Sequence, residues 1–187
     1  IHDPFLILSM DKAVDRILRA ILAKEHIVIY GDYDCDGIPG SVIMHDFFKK
    51  IGYRNFENYI PHRHKEGYGL NIPAVEQFAK DGVTLLITVD CGITDVEEVA
   101  RAQALGIDVI VTDHHLPQEI LPAAYAILNS KQEGDTYPDN MLCGAGVAWK
   151  LVTALLRKGS FDVPKGWEKW LLDMAGLSTI ADMVPLK

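Results

Sequence analysis

Apolar residues follow two patterns along the chain, a helical spacing and short continuous runs, and the two patterns alternate. The first helical spacing covers residues 10–24 and is carried by Val14, Ile17, Leu18, Ile21 and Leu22. Such a stripe predicts an amphipathic helix that buries one face. A continuous run at residues 26–30 ends at Gly31 and predicts a buried strand, because a short apolar segment closed by a turn residue is typical of one.

The alternation continues to the end of the chain. Further apolar runs predict strands at residues 56–60, 84–89, 107–111 and 125–128. Helical spacing predicts helices at residues 40–51, 72–80, 94–105, 144–158 and 167–177. The third of these helices has Thr94 and Glu97 in the spacing of a capping box. Strands that are apolar throughout and alternate with helices predict an α/β fold, with a parallel doubly wound sheet flanked by helices.

Length and composition indicate one globular domain over residues 1–187, with residues 1–25 as an N-terminal helical segment. Apolar residues make up 49% of the sequence and charged residues 24%, as is typical of globular domains. No apolar stretch reaches the roughly 20 residues that span a bilayer, so no membrane partner is expected. The first residues show no signal-peptide pattern, and we therefore expect a cytoplasmic location.

The three cysteines are Cys35, Cys91 and Cys143, and no C-x-x-C spacing occurs. An odd number without this spacing predicts neither a disulfide framework nor a zinc knuckle. We interpret all three as small buried residues.

Acidic residues outnumber basic ones, with 26 Asp and Glu against 18 Lys and Arg, which gives a net charge of −8. Nucleic-acid-binding proteins usually have a surplus of positive charge, so the total argues against that class. A site that binds divalent cations needs clustered carboxylates, however, and the bound ions offset their charge. The net charge thus weakens a nucleic-acid hypothesis without excluding it.

Polar residues suited to metal binding follow three of the predicted strands. In chain order they are Asp32, Asp34, Asp36, Asp90, Asp113, His114 and His115. In open parallel sheets the carboxyl ends of the strands meet at one edge, which is where ligands bind. So many carboxylates at one edge would repel one another without cations. Oxygen and imidazole donors in this mixture suit Mn²⁺ or Mg²⁺.

Two shorter motifs have other interpretations. Residues 32–37 match the first half of an EF-hand loop, but the twelfth position is Ile43 and a predicted strand precedes the motif, so this interpretation fails. Gly144 and Gly146 resemble part of a dinucleotide fingerprint, but Trp149 stands in place of the third glycine. We interpret this segment as a tight backbone turn that a phosphate would approach.

The one compact basic patch of the sequence is residues 62–65, and Tyr68 follows it between two glycines. One interpretation is a solvated loop, since charged runs are often only that. The other is a nucleic-acid-binding edge, where cations contact phosphates and an aromatic ring stacks on a base. Its candidate residues are His62, Arg63, Lys65 and Tyr68.

Four segments resemble the signatures of the DHH phosphoesterase family and occur in the family's order. They are residues 32–37, residues 89–93, the triplet Asp113-His114-His115, and residues 179–186. Within that family, residues 59–63 and 66–70 resemble the RecJ-type exonucleases, which are specific for single strands. The resemblance covers nearly the whole chain. The departures, at Cys35, Pro39 and Ser130, replace no expected ligand.

The resemblance implies a role for each matching residue. Two Mn²⁺ or Mg²⁺ ions would be bound by Asp34, Asp36, Asp90, His114, Asp182 and, as a ligand or a neighbour of the ligands, Asp32. Among these residues, Asp90 would bridge the two ions. His115 would contact the scissile phosphate, and Asp113 would orient the histidines or cap the following turn.

The implied activity is metal-dependent hydrolysis of single-stranded DNA from the 5′ end, in DNA repair and recombination. Residues 1–187 would then form the catalytic DHH domain. Because enzymes of this type are longer, C-terminal accessory and oligonucleotide-binding domains are expected outside this chain. A single-strand-binding protein or a helicase is an expected partner through those regions.

Three other functions stay open at this point. A small-substrate member of the family, such as a nanoRNase, a cyclic-dinucleotide phosphodiesterase or a pyrophosphatase, has no need of the basic residues 62–65. A phosphatase of the haloacid-dehalogenase type would use Asp34 as its nucleophile, but it has no use for His114 and His115. A non-catalytic scaffold with this fold would not need every ligand that is present here.

Overall fold

All strands in the described part of the chain belong to one parallel sheet. The computed structural model describes residues 1–186, and its strands are β1 (His26–Gly31), β2 (Phe56–Tyr59), β3 (Val83–Val89), β4 (Asp108–Thr112) and β5 (Ala126–Leu128). Their order is β2-β1-β3-β4-β5, and every neighbouring pair is parallel. The direction of winding reverses between β1 and β3, which is the point where such sheets bind ligands.

Helices connect the strands and cover both faces of the sheet. They are α1 (Met10–Ala23), α2 (Gly37–Lys50), α3 (Ile72–Lys80), α4 (Val96–Ala104), α5 (Gly144–Lys158) and α6 (Leu172–Ala181). Short 3-10 helices lie at Pro4–Leu6 and Trp167–Leu171, and the second takes up the start of the helix predicted at 167–177. In the part of the chain that the structure describes, none of the helices combines the length and apolarity needed to cross a bilayer.

Alternate residues of the strands pack into two separate hydrophobic clusters. Ile27 and Ile29 of β1 join the larger cluster with residues of α1, α2 and α5. Val28 and Tyr30 of the same strand join the other cluster with residues of α3 and α4. Successive side chains of a strand point to opposite faces, so both faces are buried. The predicted parallel doubly wound α/β fold is confirmed.

Two local predictions are wrong. The Thr94 and Glu97 capping box does not form, because α4 begins at Val96 without a side-chain cap. The Asp95 carboxylate instead accepts a hydrogen bond from Leu70 N–H at 2.7 Å. The three cysteines are free, but Cys35 is exposed, since it lies in the loop before α2.

Candidate active site

The ends of the three central strands lie level at one edge of the sheet. Gly31 of β1 pairs with Val89 of β3, and Val89 pairs with Thr112 of β4. The residues that follow these positions are Asp32, Asp90 and Asp113. Because the strands are parallel, the three aspartates leave the sheet side by side at its carboxyl edge.

His114 lies within a ring of carboxylates. Its Nε2 atom is 3.2 Å from Asp90 Oδ1, 3.5 Å from Asp36 Oδ2 and 3.6 Å from Asp182 Oδ2. Neighbouring ligands of one octahedral ion lie about 3 Å apart when each is about 2.1 Å from the metal. The separations therefore suit donor atoms that share one cation. Asp182 reaches this ring from the C-terminal end of α6.

A second group of carboxylates adjoins the first at Asp90. Asp32, Asp34 and Asp90 each place one oxygen within 4.8 Å of the other two. His115 places a ring nitrogen at the same range from donor atoms of Asp90 and His114. The structure thus brings together all the residues that the sequence predicts as metal ligands.

Three buried polar atoms in these groups have no hydrogen-bond partner among the described residues. They are Asp32 Oδ1, Asp90 Oδ1 and His114 Nε2. The last two are 3.2 Å apart, yet they form no hydrogen bond with each other. A buried polar atom without a partner loses its hydration without compensation. A cation would satisfy donor atoms left open in this way, so these residues fit a bound metal ion.

Burial and like charge change the acidity of the central carboxyl groups. Burial, together with the carboxylates of Asp36 and Asp34, raises the pKa of Asp90 to about 10. Burial and the nearby Asp34 carboxylate also raise the pKa of Asp32. Repulsion of this kind is relieved when positive charge lies between the oxygens. The electrostatics of the site therefore favour a cation.

The backbone at Asp90 is held in a strained conformation. Its φ is 62°, in the left-handed region, which costs a side-chain-bearing residue roughly 1–2 kcal/mol. Its N–H donates to the Thr112 carbonyl at 2.9 Å, and its own carbonyl accepts from Tyr68 Oη at 3.1 Å. Strain that the surroundings hold in place clusters at functional sites.

The first turn of α5 holds the Asp36 carboxylate. Asp36 Oδ2 and Oδ1 accept from the N–H groups of Gly144 and Ala145 at 2.6 and 2.7 Å. Gly144 and Gly146 therefore lie in the first turn of α5, as the helix predicted at 144–158 requires, and not in a separate backbone turn. A carboxylate of the protein takes the place that was expected for a phosphate, because a helix N-terminus favours either anion.

Donors of the protein itself take up the oxygens of Asp113. Oδ2 accepts from Ile93 N–H at 3.0 Å, and Oδ1 accepts from the N–H groups of His114 and His115 at 2.7 and 3.0 Å. The Nδ1 atom of His115 also lies 2.7 Å from Oδ1. Burial alone would raise the pKa of Asp113, but the hydrogen bonds from His115 lower it. The same bond to Asp113 raises the pKa of His115.

Two further residues hold His115. Tyr68 Oη lies 3.0 Å from its Nδ1 atom, and Asn129 Nδ2 donates to its backbone carbonyl at 2.8 Å. Asn129 is fully buried. The sequence pattern did not single it out, although its position directly after β5 puts it at the same edge of the sheet as the aspartates.

A cleft of about 530 Å³ opens beside the carboxylates and is lined by Asp32, Tyr33, Asp34, Arg63, Tyr68 and His115. The Arg63 guanidinium stacks over the Tyr33 ring, 4.5 Å from its centroid. Arg63 and Tyr68 are thus the predicted nucleic-acid-binding residues that line the cleft. His62 and Lys65 lie on the exposed loop that carries Arg63.

Comparison with protein families agrees with this arrangement. Residues 26–179 match the DHH family, N-terminal domain. The chain belongs to the DHH family. The matched range contains every proposed site residue except Asp182, which lies three residues beyond it.

Relatives of this DHH chain are considerably longer. The single-stranded-DNA-specific exonuclease RecJ of Bacillus subtilis (strain 168) is 48% identical over 186 residues, which cover 99% of the chain and 22% of that relative. RecJ of Escherichia coli (strain K12) is 40% identical over 187 residues, which cover 95% of the chain and 32% of the relative. The DHH chain therefore spans about a fifth to a third of the length of these curated relatives.

Solved structures show the same DHH fold. A crystal structure of exonuclease RecJ bound to manganese matches with a TM-score of 0.85 and 32% identity, over 96% of this chain and 44% of that chain. RecJ from Thermus thermophilus in complex with Mn²⁺ matches with a TM-score of 0.76 and 29% identity, over 96% of this chain and 25% of that chain. The fold that the family resemblance implied is confirmed.

Proposed function

We propose that this DHH chain hydrolyses phosphodiester bonds of single-stranded DNA with two divalent cations, and that it acts as an exonuclease from the 5′ end. One observation carries the proposal. Buried oxygen and nitrogen atoms that lack hydrogen-bond partners converge beside a cleft lined by Arg63. The relatives named above are single-stranded-DNA-specific exonucleases, and both matching structures contain manganese. On the basis of the family resemblance, we propose that this activity takes part in DNA repair and recombination.

The proposed metal ligands form two groups around Asp90. On one side are Asp36, His114 and Asp182, and on the other are Asp32 and Asp34. A carboxylate has two oxygens and bridges two cations more readily than an imidazole, which offers one free nitrogen. Asp90 would therefore be the residue that both cations share. Mn²⁺ or Mg²⁺ suits a site made mainly of carboxylate oxygens.

When bound, the two cations promote ionisation of the attacking water and stabilise the charge that develops on the phosphate. The residues of the chain position the reacting groups. The Nδ1 atom of His115 is engaged by Asp113 and Tyr68, which leaves Nε2 free to donate a hydrogen bond to a phosphate oxygen. Asn129 holds the backbone of His115 in place, because its side-chain Nδ2 donates to the His115 carbonyl.

The cleft supplies contacts for the rest of the strand. Arg63 provides positive charge for a backbone phosphate, and the rings of Tyr33 and Tyr68 provide faces on which a base would stack. Lys65 adds positive charge on the same loop, and His62 adds an exposed ring that can form hydrogen bonds. This arrangement supports a polymer as substrate, since only a longer strand has phosphates and bases beyond the scissile bond.

Residues 1–187 contain every proposed ligand, so we propose that they form the catalytic DHH domain. A longer protein would have more surface with which to hold a strand, because backbone binding grows with the number of phosphates that are contacted.

The test is degradation of single-stranded DNA labelled at the 5′ or the 3′ end, with Mn²⁺, with Mg²⁺ and with a chelator. We expect mononucleotide products from the 5′ end, no activity in the chelator, and a loss of at least about 100-fold in an Asp90→Asn variant. The matched control is Asp162→Asn, which makes the same chemical change at an exposed residue after α5 and should leave activity unchanged.

Three outcomes would contradict the proposal in different parts. Undiminished activity in the chelator would remove the metal mechanism. Hydrolysis of dinucleotides without attack on longer strands would assign a small-substrate enzyme. Equal activity of the Asp90→Asn variant and the control would move the chemistry away from this site.

A further inference from the structure

The N-terminal turn of α5 touches two of the proposed metal ligands. It donates two backbone N–H groups to Asp36, as described above, and it approaches Asp90 through the bare Cα of Gly144. A methyl group built on Gly144 would lie 2.6 Å from both Cβ and Oδ1 of Asp90. Carbon and oxygen atoms do not pack this closely, so only glycine fits here without a shift of Asp90.

Asp90 has little freedom to make way. Its side chain is almost fully buried, and both of its backbone polar groups are hydrogen-bonded, to Thr112 and to Tyr68. Its left-handed backbone conformation further limits where the carboxylate can point. A group that pushed against this residue would therefore displace the carboxylate or strain the helix start.

We infer that Gly144 is a positioning residue for the two-metal site. The first turn of α5 sets the separation between the Asp36 and Asp90 carboxylates, holding one by its N–H groups and limiting the other by close contact. Both carboxylates flank His114 Nε2, at 3.5 and 3.2 Å. The inference rests on the proposed function, since this separation acts through the bound cations.

A small change at Gly144 should have a large effect on the separation of the Asp36 and Asp90 carboxylates. Metal sites tolerate changes of about 0.2 Å in ligand distance. Relief of the contact at a methyl group on residue 144 needs a displacement on the order of 1 Å. The separation of the two carboxylates would then no longer suit the ions that they share.

Gly146 provides a matched control in the same turn of helix. A methyl group on Gly146 would meet its nearest atoms, Cys143 Sγ and Leu142 Cδ2, at 3.5 Å, which is ordinary contact. Both substitutions replace glycine by alanine in the first turn of α5. They differ in that Gly144→Ala presses on Asp90 and Gly146→Ala does not.

The experiment is calorimetric titration of the protein with Mn²⁺ alone. We expect two Mn²⁺ ions per chain for the wild type and for Gly146→Ala, with affinities within about twofold of each other. Gly144→Ala should lose at least about 10-fold in affinity, as displaced supports of metal ligands typically do. Wild-type binding by Gly144→Ala would overturn the inference and leave the proposed function standing. Failure of the wild type to bind Mn²⁺ would overturn the proposed function instead.

Thermal unfolding in a chelator separates positioning from a general folding defect. Gly144→Ala should lower the melting temperature by roughly 5 °C, as overpacking of a buried contact does in a chain of this size. In an Asp90→Gly background, which removes the contacted atoms and suits the left-handed φ, the same substitution should cost nothing. An equal loss of melting temperature in both backgrounds would show a merely structural role and overturn the inference. If Gly144→Ala alone does not fold, failure of the Asp90→Gly substitution to restore folding would overturn it in the same way.

Discussion

His114 and His115 are adjacent in sequence and have different surroundings. His114 is buried, with its Nε2 atom among three carboxylates. The His115 side chain is 44% exposed, and its Nδ1 atom is engaged by Asp113 and Tyr68. One histidine therefore faces the proposed ions, and the other faces the cleft in which a phosphate would lie. A difference of this kind can be tested with single substitutions.

The first prediction separates the two histidines. His115→Ala should lower kcat about 100-fold, because it removes the proposed donor to the developing charge, and should change Mn²⁺ affinity by less than about threefold. His114→Ala should weaken Mn²⁺ binding strongly, because it removes a proposed ligand. Single-turnover kinetics at saturating Mn²⁺ and calorimetry measure the two effects. Loss of one Mn²⁺ ion from the His115→Ala variant would place that residue among the ligands.

The second prediction concerns the basic loop. Arg63 lines the cleft and stacks on Tyr33, whereas Lys65 is exposed on the same loop. Arg63→Ala should weaken binding of single-stranded DNA of every sequence and lower the dependence on log salt by about one unit, as the loss of one phosphate contact does. Lys65→Ala is the comparison and should have the smaller effect. Equal slopes for Arg63→Ala and the wild type would leave Arg63 as an ordinary surface charge.

Among the elements, the start of α4 differs from the prediction because a residue distant in sequence, Leu70, hydrogen-bonds to Asp95 there. The spacing of Thr94 and Glu97 favours a capping box, but the helix begins at Val96. Asp95 turns its carboxylate to Leu70 N–H, and a methyl group on Gly69 would lie 2.8 Å from Asp95 Oδ1. Asp95 thus attaches α4 to the segment that carries Tyr68. The start of this helix therefore holds the loop beside the site in position.

The third prediction follows from the acidity of Asp95. Burial raises its pKa to about 6 in the folded state, above the ordinary value of 3.8. Between these values the folded state binds more protons than the unfolded state, so this group makes the protein less stable as the pH rises through that window. Asp95→Asn removes this dependence and keeps an acceptor for Leu70 N–H.

The advantage of Asp95→Asn over the wild type should therefore grow from pH 4 to pH 6.5, by roughly 1–2 kcal/mol once the partial exposure of the group is allowed for. Denaturant unfolding of both proteins across this range measures it. A constant difference in the free energy of unfolding would contradict the prediction.

For the whole molecule, the acidic surplus acts on stability as well as on binding. The net charge is −8, and several of the carboxylates converge on one edge of the sheet. Without a cation, folding must bring these groups together against their repulsion. With a cation, the same groups stabilise the folded state by mass action. The acidic site and the fold are thus linked through the metal.

The fourth prediction is a reversal in the effect of Asp90→Asn. In a chelator the variant should melt about 5 °C above the wild type, because it lacks a buried carboxyl group whose pKa is raised to about 10. Mn²⁺ at 100 times its dissociation constant should stabilise the wild type by about 2.7 kcal/mol and the variant by much less. Thermal scans with and without Mn²⁺ measure both terms. A lower melting temperature for the variant in the chelator would show that the wild-type carboxyl group does not destabilise the folded state, and would contradict the prediction.

The sequence by itself determined the sheet, the edge at which the site lies and the residues that converge there. The reason is local: continuous apolar runs require burial on both faces, and the residues that follow parallel strands must emerge together. Asp32, Asp90 and Asp113 could be assigned to one edge on this basis alone. Asp182 required the family resemblance, because it follows a helix and not a strand.

Only the tertiary structure decided which partner each group has. Asp36 and Gly144 are 108 residues apart, and their hydrogen bond depends on how α5 packs against α2, the helix that follows Asp36. The same holds for Asn129 with His115 and for Asp95 with Leu70. A carboxylate or an amide takes whichever donor the fold brings near, and the pattern of neighbours along the chain carries no information about that choice. The sequence could therefore name the chemistry of the site, while the packing of distant elements determined its geometry.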